Sequence, residues 1–402
     1  MIKTFITFFL SIFFLFCSHF SYSQNRISGV VINGIDNGPL SAASVFINNS
    51  SKGTLTGNDG TFSINAITET NFELVISYTG FETVSLKVTP GNINSNFEIK
   101  LFPRTNELGE IKITSPEKDG WKKWGSFFTE SFLGASDFAL ECKIINPGVL
   151  RFYYDKQNQI LSAYSHGNLI IHNRALGYNI RYQLEEFRYD GKNKIITYIG
   201  YTGYDDLNLK NNRNKWTSNR REAYRGSLLH FMRSVYANTT ATEGFILREK
   251  IKVFPTDSAF KQIFRNGILV TNVVIDSNQY FSVAGPKKVL SNSPEYIDLF
   301  NKKTFEITKA VASESENQKR FYFLNYMQVV YKNAKEKDDY LKKLWRPLGS
   351  SKFQTSEFSL VMDEPILIEQ NGLYFNPLNV ITSGYWGWCK MAEMLPIDYI
   401  EK

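Results

Sequence analysis

The chain has 402 residues, room for more than one domain, and a hydrophobic fraction of 43% that suits a protein burying real cores. Its formal charge of +7 comes from basic residues scattered in short pairs, such as Arg220-Arg221, Lys287-Lys288 and Lys342-Lys343, rather than gathered on one stripe; that argues against a nucleic-acid binder. With 32 Phe and 22 Tyr the composition leans towards β structure, because aromatic side chains favour strands and bury large areas.

The first element reads as a secretory signal. Lys3 is the single n-region charge, Phe5 to Cys17 is an apolar run, and Ser21-Tyr22-Ser23 sets small residues where a signal peptidase reads. Cleavage after Ser23 leaves Gln24 first and lowers the charge from +7 to +6, since Lys3 is the only formal charge in residues 1–23. A membrane anchor is the competing reading, but the run is shorter than the roughly 20 apolar residues a bilayer core needs. Phe16 stands where a lipobox has a small residue, so Cys17 is not read as a lipidation site. No later stretch has the length and apolarity of a transmembrane helix. The mature chain keeps Cys142 and Cys389. An oxidising compartment permits a disulfide worth roughly 2–5 kcal/mol; two separate buried thiols is the simpler reading.

Residues 26–102 alternate with a period of two. Val84, Leu86 and Val88 share one face against Thr83, Ser85 and Lys87, and Phe97, Ile99 and Leu101 alternate with Glu98 and Lys100. Asn33-Gly34, Asp36-Asn37-Gly38-Pro39, Gly57-Asn58-Asp59-Gly60 and Thr79-Gly80 punctuate the strands. About seven short strands at this spacing predict a β-sandwich, with Gly29, Gly60 and Gly80 as structural turn positions. Asp36, Asn58 and Asp59 carry oxygens a calcium ion could use, but each sits in a turn that explains it without metal.

The run Gly29-Val30-Val31, Pro39-Leu40 with Ala43 and Val45, Gly53-Thr54-Leu55-Thr56, Gly60-Thr61-Phe62-Ser63-Ile64 and Ser77-Tyr78-Thr79-Gly80-Phe81 resembles the carboxypeptidase regulatory-like domain family. Ala42 departs from a frequent Gly, and Gly57 from a frequent Asp. The resemblance implies a prealbumin-like, Ig-like sandwich over residues 24–103, in a module that is usually non-catalytic. Such modules accompany metallocarboxypeptidases, open TonB-dependent outer-membrane receptors, and occur in standalone envelope proteins. Glu107 to Thr114, within a linker strand over 104–120, looks like the segment that follows the module in those receptors; the plug and barrel that come next there do not follow here.

Residues 121–402 read as a β-rich α+β domain dominated by antiparallel sheet. Ser115 to Gly120 is a polar linker, and Trp121, Trp124, Phe128 and Phe132 predict an amphipathic helix. Val149–Tyr154 and Ile160–Tyr164 predict a hairpin, and Tyr178–Leu184 a strand that Ile195–Tyr204 returns along. A helix is expected from Asn219, with Glu222 completing a capping box and Tyr224, Leu228, Phe231 and Val235 on one face. Strands are expected over 246–254, 268–283, 320–331 and 358–375. Lys332 to Trp345 reads as a charged helix with Asp338–Lys342 and Asp339–Lys343 pairs, ended by Pro347. Arg221 to Phe231, and Gly384 to Trp388 running on to Pro396, look like the C-terminal part of standalone regulatory-like envelope proteins. An outer-membrane barrel competes on aromatic alternation, but the two helices and the end Asp398 to Lys402, which lacks a terminal aromatic, count against it.

The chemistry-bearing motifs are sparse. His166, His172 and His230, the histidines after the leader, open no zinc-ligand spacing, so the carboxypeptidase resemblance does not license peptidase activity. Ser258-Ala259-Phe260-Lys261 matches S-x-x-K without its companion motifs. Glu185-Glu186, Asp205-Asp206 and Asp363-Glu364 are adjacent, and neighbours on a strand face opposite ways, so adjacency cannot set two carboxyls across a cleft. Tyr385, Trp386 and Trp388 are the candidate binding surface if exposed; buried, they close the core, which Met391, Met394 and Leu395 favour. The sequence therefore points to a non-enzymatic exported binding or assembly protein with an envelope protein or glycan as partner, no nucleic acid and no cofactor. A hydrolase with an unrecognised site and an accessory to a TonB-dependent receptor are the alternatives.

Overall fold

A computed structural model of the chain describes residues 26–65, 70–93, 95–104, 115–207, 212–253, 279–282, 296–350 and 352–401. The leader, the strand read over Glu107–Thr114, the Ser258–Lys261 motif and most of the strand read over 268–283 lie outside the described residues. The chain is mainly β, with an N-terminal β domain followed by a larger sheet-rich body. Among the described residues no helix is long and apolar enough to cross a membrane.

The N-terminal strands are β1 (Arg26–Asn33), β2 (Ser44–Ile47), β3 (Gly53–Leu55), β4 (Thr61–Asn65), β5 (Phe72–Ser77), β6 (Val84–Val88) and β7 (Asn96–Leu101). They form two sheets, β4-β1-β7 and β3-β2-β5-β6, and Ile27, Val31, Ile47, Leu74, Ile76 and Leu101 fill the space between them. Strand β1 pairs antiparallel with β4 and parallel with β7. Strand β4 keeps the half-buried alternation of exposed and buried residues, whereas all four residues of β2 are buried. A strand covered on both faces loses its alternation, and the outer face of β2 is covered by the body: Arg181 lies over the Phe46 ring, 5.5 Å from its centroid.

The body opens with α1 (Gly120–Leu133) and α2 (Asp137–Leu140), followed by β8 (Cys142–Ile144), β9 (Leu150–Asp155), β10 (Ile160–Ser165), β11 (Leu169–Asn173), β12 (Tyr178–Asp190) and β13 (Ile195–Asp206). The expected hairpin and the expected long return are both present: β9 pairs with β10, and β12 with β13. The sheet order is β8-β11-β12-β10-β9, with β13 along the other side of β12. Helix α1 lies across this sheet through Phe128 and Phe132, both fully buried, whose rings meet Phe152, Phe187, Tyr182 and Tyr198 at 4.9–5.8 Å. Register in β12 slips between Leu184 and Glu186, leaving Glu185 without a partner on β13. This bulge has a sequence cause. The core-facing residues switch from Tyr178, Ile180, Tyr182 and Leu184 to Phe187, and one extra residue keeps both sets on the same face.

Two helical expectations need correction. The helix expected from Asn219 onwards is two helices, α3 (Arg213–Tyr224) and α4 (Leu228–Ala237). Asn219 lies inside α3 and donates to the Ala175 carbonyl, Glu222 pairs with Lys337 at 2.6 Å, and the side chain that caps is Ser227, accepting from the His230 amide. Between the helices Gly226 sits at φ 80°, a conformation that ends helix propagation and that a side chain rarely tolerates. Phe231 and Val235 therefore enter a second core, while Tyr224 packs on the first. The strands of that second core are β14 (Phe245–Val253), β15 (Tyr280–Phe281), β16 (Ile297–Asn301), β17 (Val311–Ser313), β18 (Gln318–Phe321), β19 (Tyr326–Lys335), β20 (Phe353–Leu360), β21 (Ile366–Glu369) and β22 (Val380–Gly384). They build the antiparallel sheets β15-β16-β14-β19-β20-β22 and β17-β18-β21. The second correction lies in this sheet. The charged helix expected over 332–345 shrinks to α5 (Asp338–Lys343), because β19 runs on through Lys335, its Met327, Val329 and Tyr331 buried in alternation. The expected pairs four residues apart become Lys342–Asp339 and Lys343–Glu130. A last helix, α6 (Tyr385–Cys389), leads the chain back to the first core through Met391 and Leu395.

Candidate functional site

A cleft of about 360 Å³ opens where the sandwich meets the body, and the described residues lining it come from both. Ser77-Tyr78-Thr79-Gly80-Phe81, a motif of the family pattern, forms one wall at the β5–β6 turn. Gly80 has φ 85°, and its carbonyl accepts from the Arg104 amide at 2.9 Å. Phe81 bridges to Pro103, so the turn and the exit of β7 are tied together, and the Tyr78 and Phe81 rings meet edge-on at 5.3 Å. The opposite wall is the β10–β11 turn, His166-Gly167-Asn168, with Arg181 and Gln183 from β12.

The cleft is electropositive. Arg181 is fixed by a two-point bond to Asp205, at 2.9 and 3.2 Å, and donates to the Ser44 hydroxyl at 2.7 Å. Among the described residues the Arg104 guanidinium makes one hydrogen bond, a long one of 3.4 Å to the Ser165 carbonyl. Partial burial, together with the charges of Arg151 and Arg104, holds His166 below the ordinary histidine value, so its ring is neutral at pH 7. Burial raises the Glu185 carboxyl at the bulge, and the Arg104 charge opposes that rise. Two lining residues hold orphaned polar atoms: the hydroxyl of Ser77, a residue only 7% exposed, and the carboxamide oxygen of Asn168 have no hydrogen-bond partner among the described residues. A buried polar atom without a partner costs about 1–3 kcal/mol. Cations, hydroxyls and amides converging in one cleft can hold a ligand by charge and hydrogen bonds.

The aromatic cluster offered as a binding surface is buried instead. Tyr385, Trp386 and Trp388 are 4%, 9% and 4% exposed. The Trp386 indole donates to the Gly226 carbonyl at 2.7 Å, and Tyr385 and Trp388 pack on Tyr340. The most exposed tryptophan is Trp345, at 95%, which the sequence placed in a helix. Of the three glycines read as turns, Gly60 (φ 75°) and Gly80 are turn residues. Gly29 is not; it lies within β1, where a Cβ would stand 2.2 Å from the Phe97 carbonyl oxygen and 2.9 Å from the Phe62 ring. Cys142 and Cys389 are free thiols, and burial pushes Cys142 up to about 12 and Cys389 well above the ordinary range.

The three histidines are separate. His166 lines the cleft, His172 lies in β11, and His230 packs on Tyr224, Phe245 and Tyr331, its Nδ1 accepting from the Gly226 amide. Asp205 and Asp206 serve two arginines, Arg181 and Arg220. Asp36 and Asp59 accept from their own turns, at the Gly38 and Thr61 amides, and Asn58 accepts from Ser41. Among the described residues no group of three or more His, Cys, Asp or Glu is placed to hold a metal. The sequence reading missed the cleft, because its walls come from residues more than 60 positions apart. The one signal in the sequence is the Ser77–Phe81 motif, which by itself indicates the fold alone.

A compact two-sheet sandwich braced against a sheet-rich body is the architecture of a β-sandwich module fused to a second unit. Residues 27–113 match the family model of the CarboxypepD_reg-like domain, at the N-terminal position where the sequence placed the resemblance. No curated protein matches the chain.

Proposed function

We propose that the mature protein is a non-enzymatic binding or assembly protein of the Gram-negative envelope, exported after cleavage at Ser23, with the sandwich as its interaction module. The observation that carries the reading is the cleft itself: a regulatory-like module contributes one wall of a cationic, hydroxyl-lined pocket, and the body contributes the other. The leader-like residues 1–23 support export.

Two measurements test the reading. Mass spectrometry of protein from fractionated cells should find Gln24 as the first residue, in the envelope fraction; uncut protein in the cytoplasm would remove export. Immobilised protein should retain a specific component of envelope extract, and Thr83→Trp, which adds bulk to the cleft lining, should release it. Equal retention by the variant, or no retention at all, would overturn the assignment of binding to this cleft.

A further inference from the structure

The lining side chains restrict what the cleft can hold. Among the described residues Arg104 makes only one long hydrogen bond and no ion pair, although the Glu185 carboxyl feels its charge, whereas Arg181 is paired with Asp205 and His166 is held low; Arg104 is therefore the lining cation without a hydrogen-bonded carboxylate. A guanidinium fork can hold either a carboxylate or a phosphate by two parallel bonds, but one cation balances the single charge of a carboxylate and only part of a phosphate dianion's. The polar atoms around it are mixed. The Thr79 and Thr83 hydroxyls both donate and accept, and behind the lining surface the Ser77 hydroxyl and the Asn168 carboxamide oxygen are buried without a partner among the described residues. A ligand that pairs with such groups carries hydroxyls as well as charge. The Tyr78–Phe81 pair adds an aromatic surface of the kind on which the C–H face of a sugar packs. The volume of about 360 Å³ is at the small end for a ligand pocket, suited to one unit of an oligomer.

Resting on the reading of this cleft as a ligand seat, we propose that it binds a uronic-acid residue of an acidic glycan, with the carboxylate on Arg104 and the sugar hydroxyls between the Ser77–Thr83 turn and Asn168. Titration calorimetry of the full mature chain with galacturonic acid and its trimer should show saturable binding. Galactose, which lacks the carboxylate, should bind at least about tenfold more weakly, because a hydrogen-bonded charge is worth about 1.5–3 kcal/mol. Arg104→Ala should lose a similar factor with its melting temperature unchanged, and Arg104→Lys should recover part of it. Thr79→Trp, on the turn to which the Arg104 backbone is tied, reads the same cleft if Arg104→Ala proves unstable. Equal binding of galactose overturns the proposal, as does tighter binding of galactose 6-phosphate or of acetyl-Ala-Ala with a free carboxylate. Retention of an envelope component without uronate binding sinks this inference and leaves the binding reading standing. Uronate binding without envelope retention upholds this inference and the cleft as a ligand seat, and overturns only the expectation of a retained envelope component.

Discussion

Glu369 is the residue whose environment is least expected of its chemistry. Its side chain ends β21 with no exposed surface, and one carboxylate oxygen accepts from Asn71 of the sandwich at 2.8 Å and from Gln318 at 2.9 Å. The other oxygen is buried without a donor among the described residues. Burial raises its pKa above the ordinary glutamate value of 4.5, and the bonds from Asn71 and Gln318 only partly offset this. A carboxyl raised in the folded state binds its proton more tightly there than in the unfolded chain. Its contribution to stability is therefore lost as pH rises from 4.5 through the folded value, and the ionised form weighs against folding above it. Glu369→Gln keeps an accepting oxygen and removes the charge. We expect it to unfold at a higher temperature than the parent at pH 7.5, on the order of 1 kcal/mol, and the difference to vanish below about pH 4.5. A variant less stable at pH 7.5 would show that the carboxylate is held there by favourable charge. Nothing in the sequence marks this residue, because burial of a glutamate at the end of a strand depends on an asparagine nearly 300 positions away.

At the scale of elements, the period-two patterns were legible and the helix limits were not. The hairpin of β9 and β10 and the long pair of β12 and β13 follow from local alternation and turn residues, which tertiary contacts only reinforce. The α3–α4 break followed from no periodicity; Leu228, Phe231 and Val235 repeat as though the helix were continuous with Tyr224. Its cause is tertiary. The Gly226 carbonyl accepts from the Trp386 indole, its amide donates to His230, and a Cβ at that position would meet the Tyr331 ring at 2.6 Å. Two segments singled out for their family likeness, Arg221–Phe231 and Gly384–Trp388, thus meet at one peptide. Trp386→Phe removes the indole donor and strands a buried carbonyl, at a cost of about 1–3 kcal/mol. Gly226→Ala adds left-handed strain of about 1–2 kcal/mol before any clash. Because both act on the same peptide, urea denaturation of the double variant should show a loss smaller than the sum of the two. Strict additivity would mean that the indole and the glycine act independently.

At the scale of the whole molecule, the question is whether sandwich and body fold as one. Polar interfaces between domains normally permit relative motion, yet this one uses backbone pairing. Ser50 bridges in parallel to Gly203 at the β13 edge; the Asn49 amide donates to the Thr202 carbonyl at 2.7 Å, and the Tyr204 amide donates to the Ser50 carbonyl at 3.0 Å. The Asn48 side chain accepts from the Thr202 amide and donates to Glu73, so it caps the junction from the sandwich side. From the other side the C-terminal segment closes over the same loop, with Ile397 donating to the Asn49 carbonyl and Asp398 accepting from both the amide and the hydroxyl of Ser51. The loop therefore adds a one-residue bridge to the edge of the body's sheet, satisfying edge groups that would otherwise face solvent. Calorimetry of the parent chain should give one cooperative transition. Asn48→Ala leaves the buried Thr202 amide unpaired, about 1–3 kcal/mol, and Asp398→Ala removes the clamp on Ser51. Together they should uncouple the two cores, so that the sandwich melts as a separate, smaller transition while the body's melting temperature changes little. Two transitions in the parent chain, or a single one surviving in the double variant, would place the coupling elsewhere in the interface, with the Asn71–Glu369 contact the next to test.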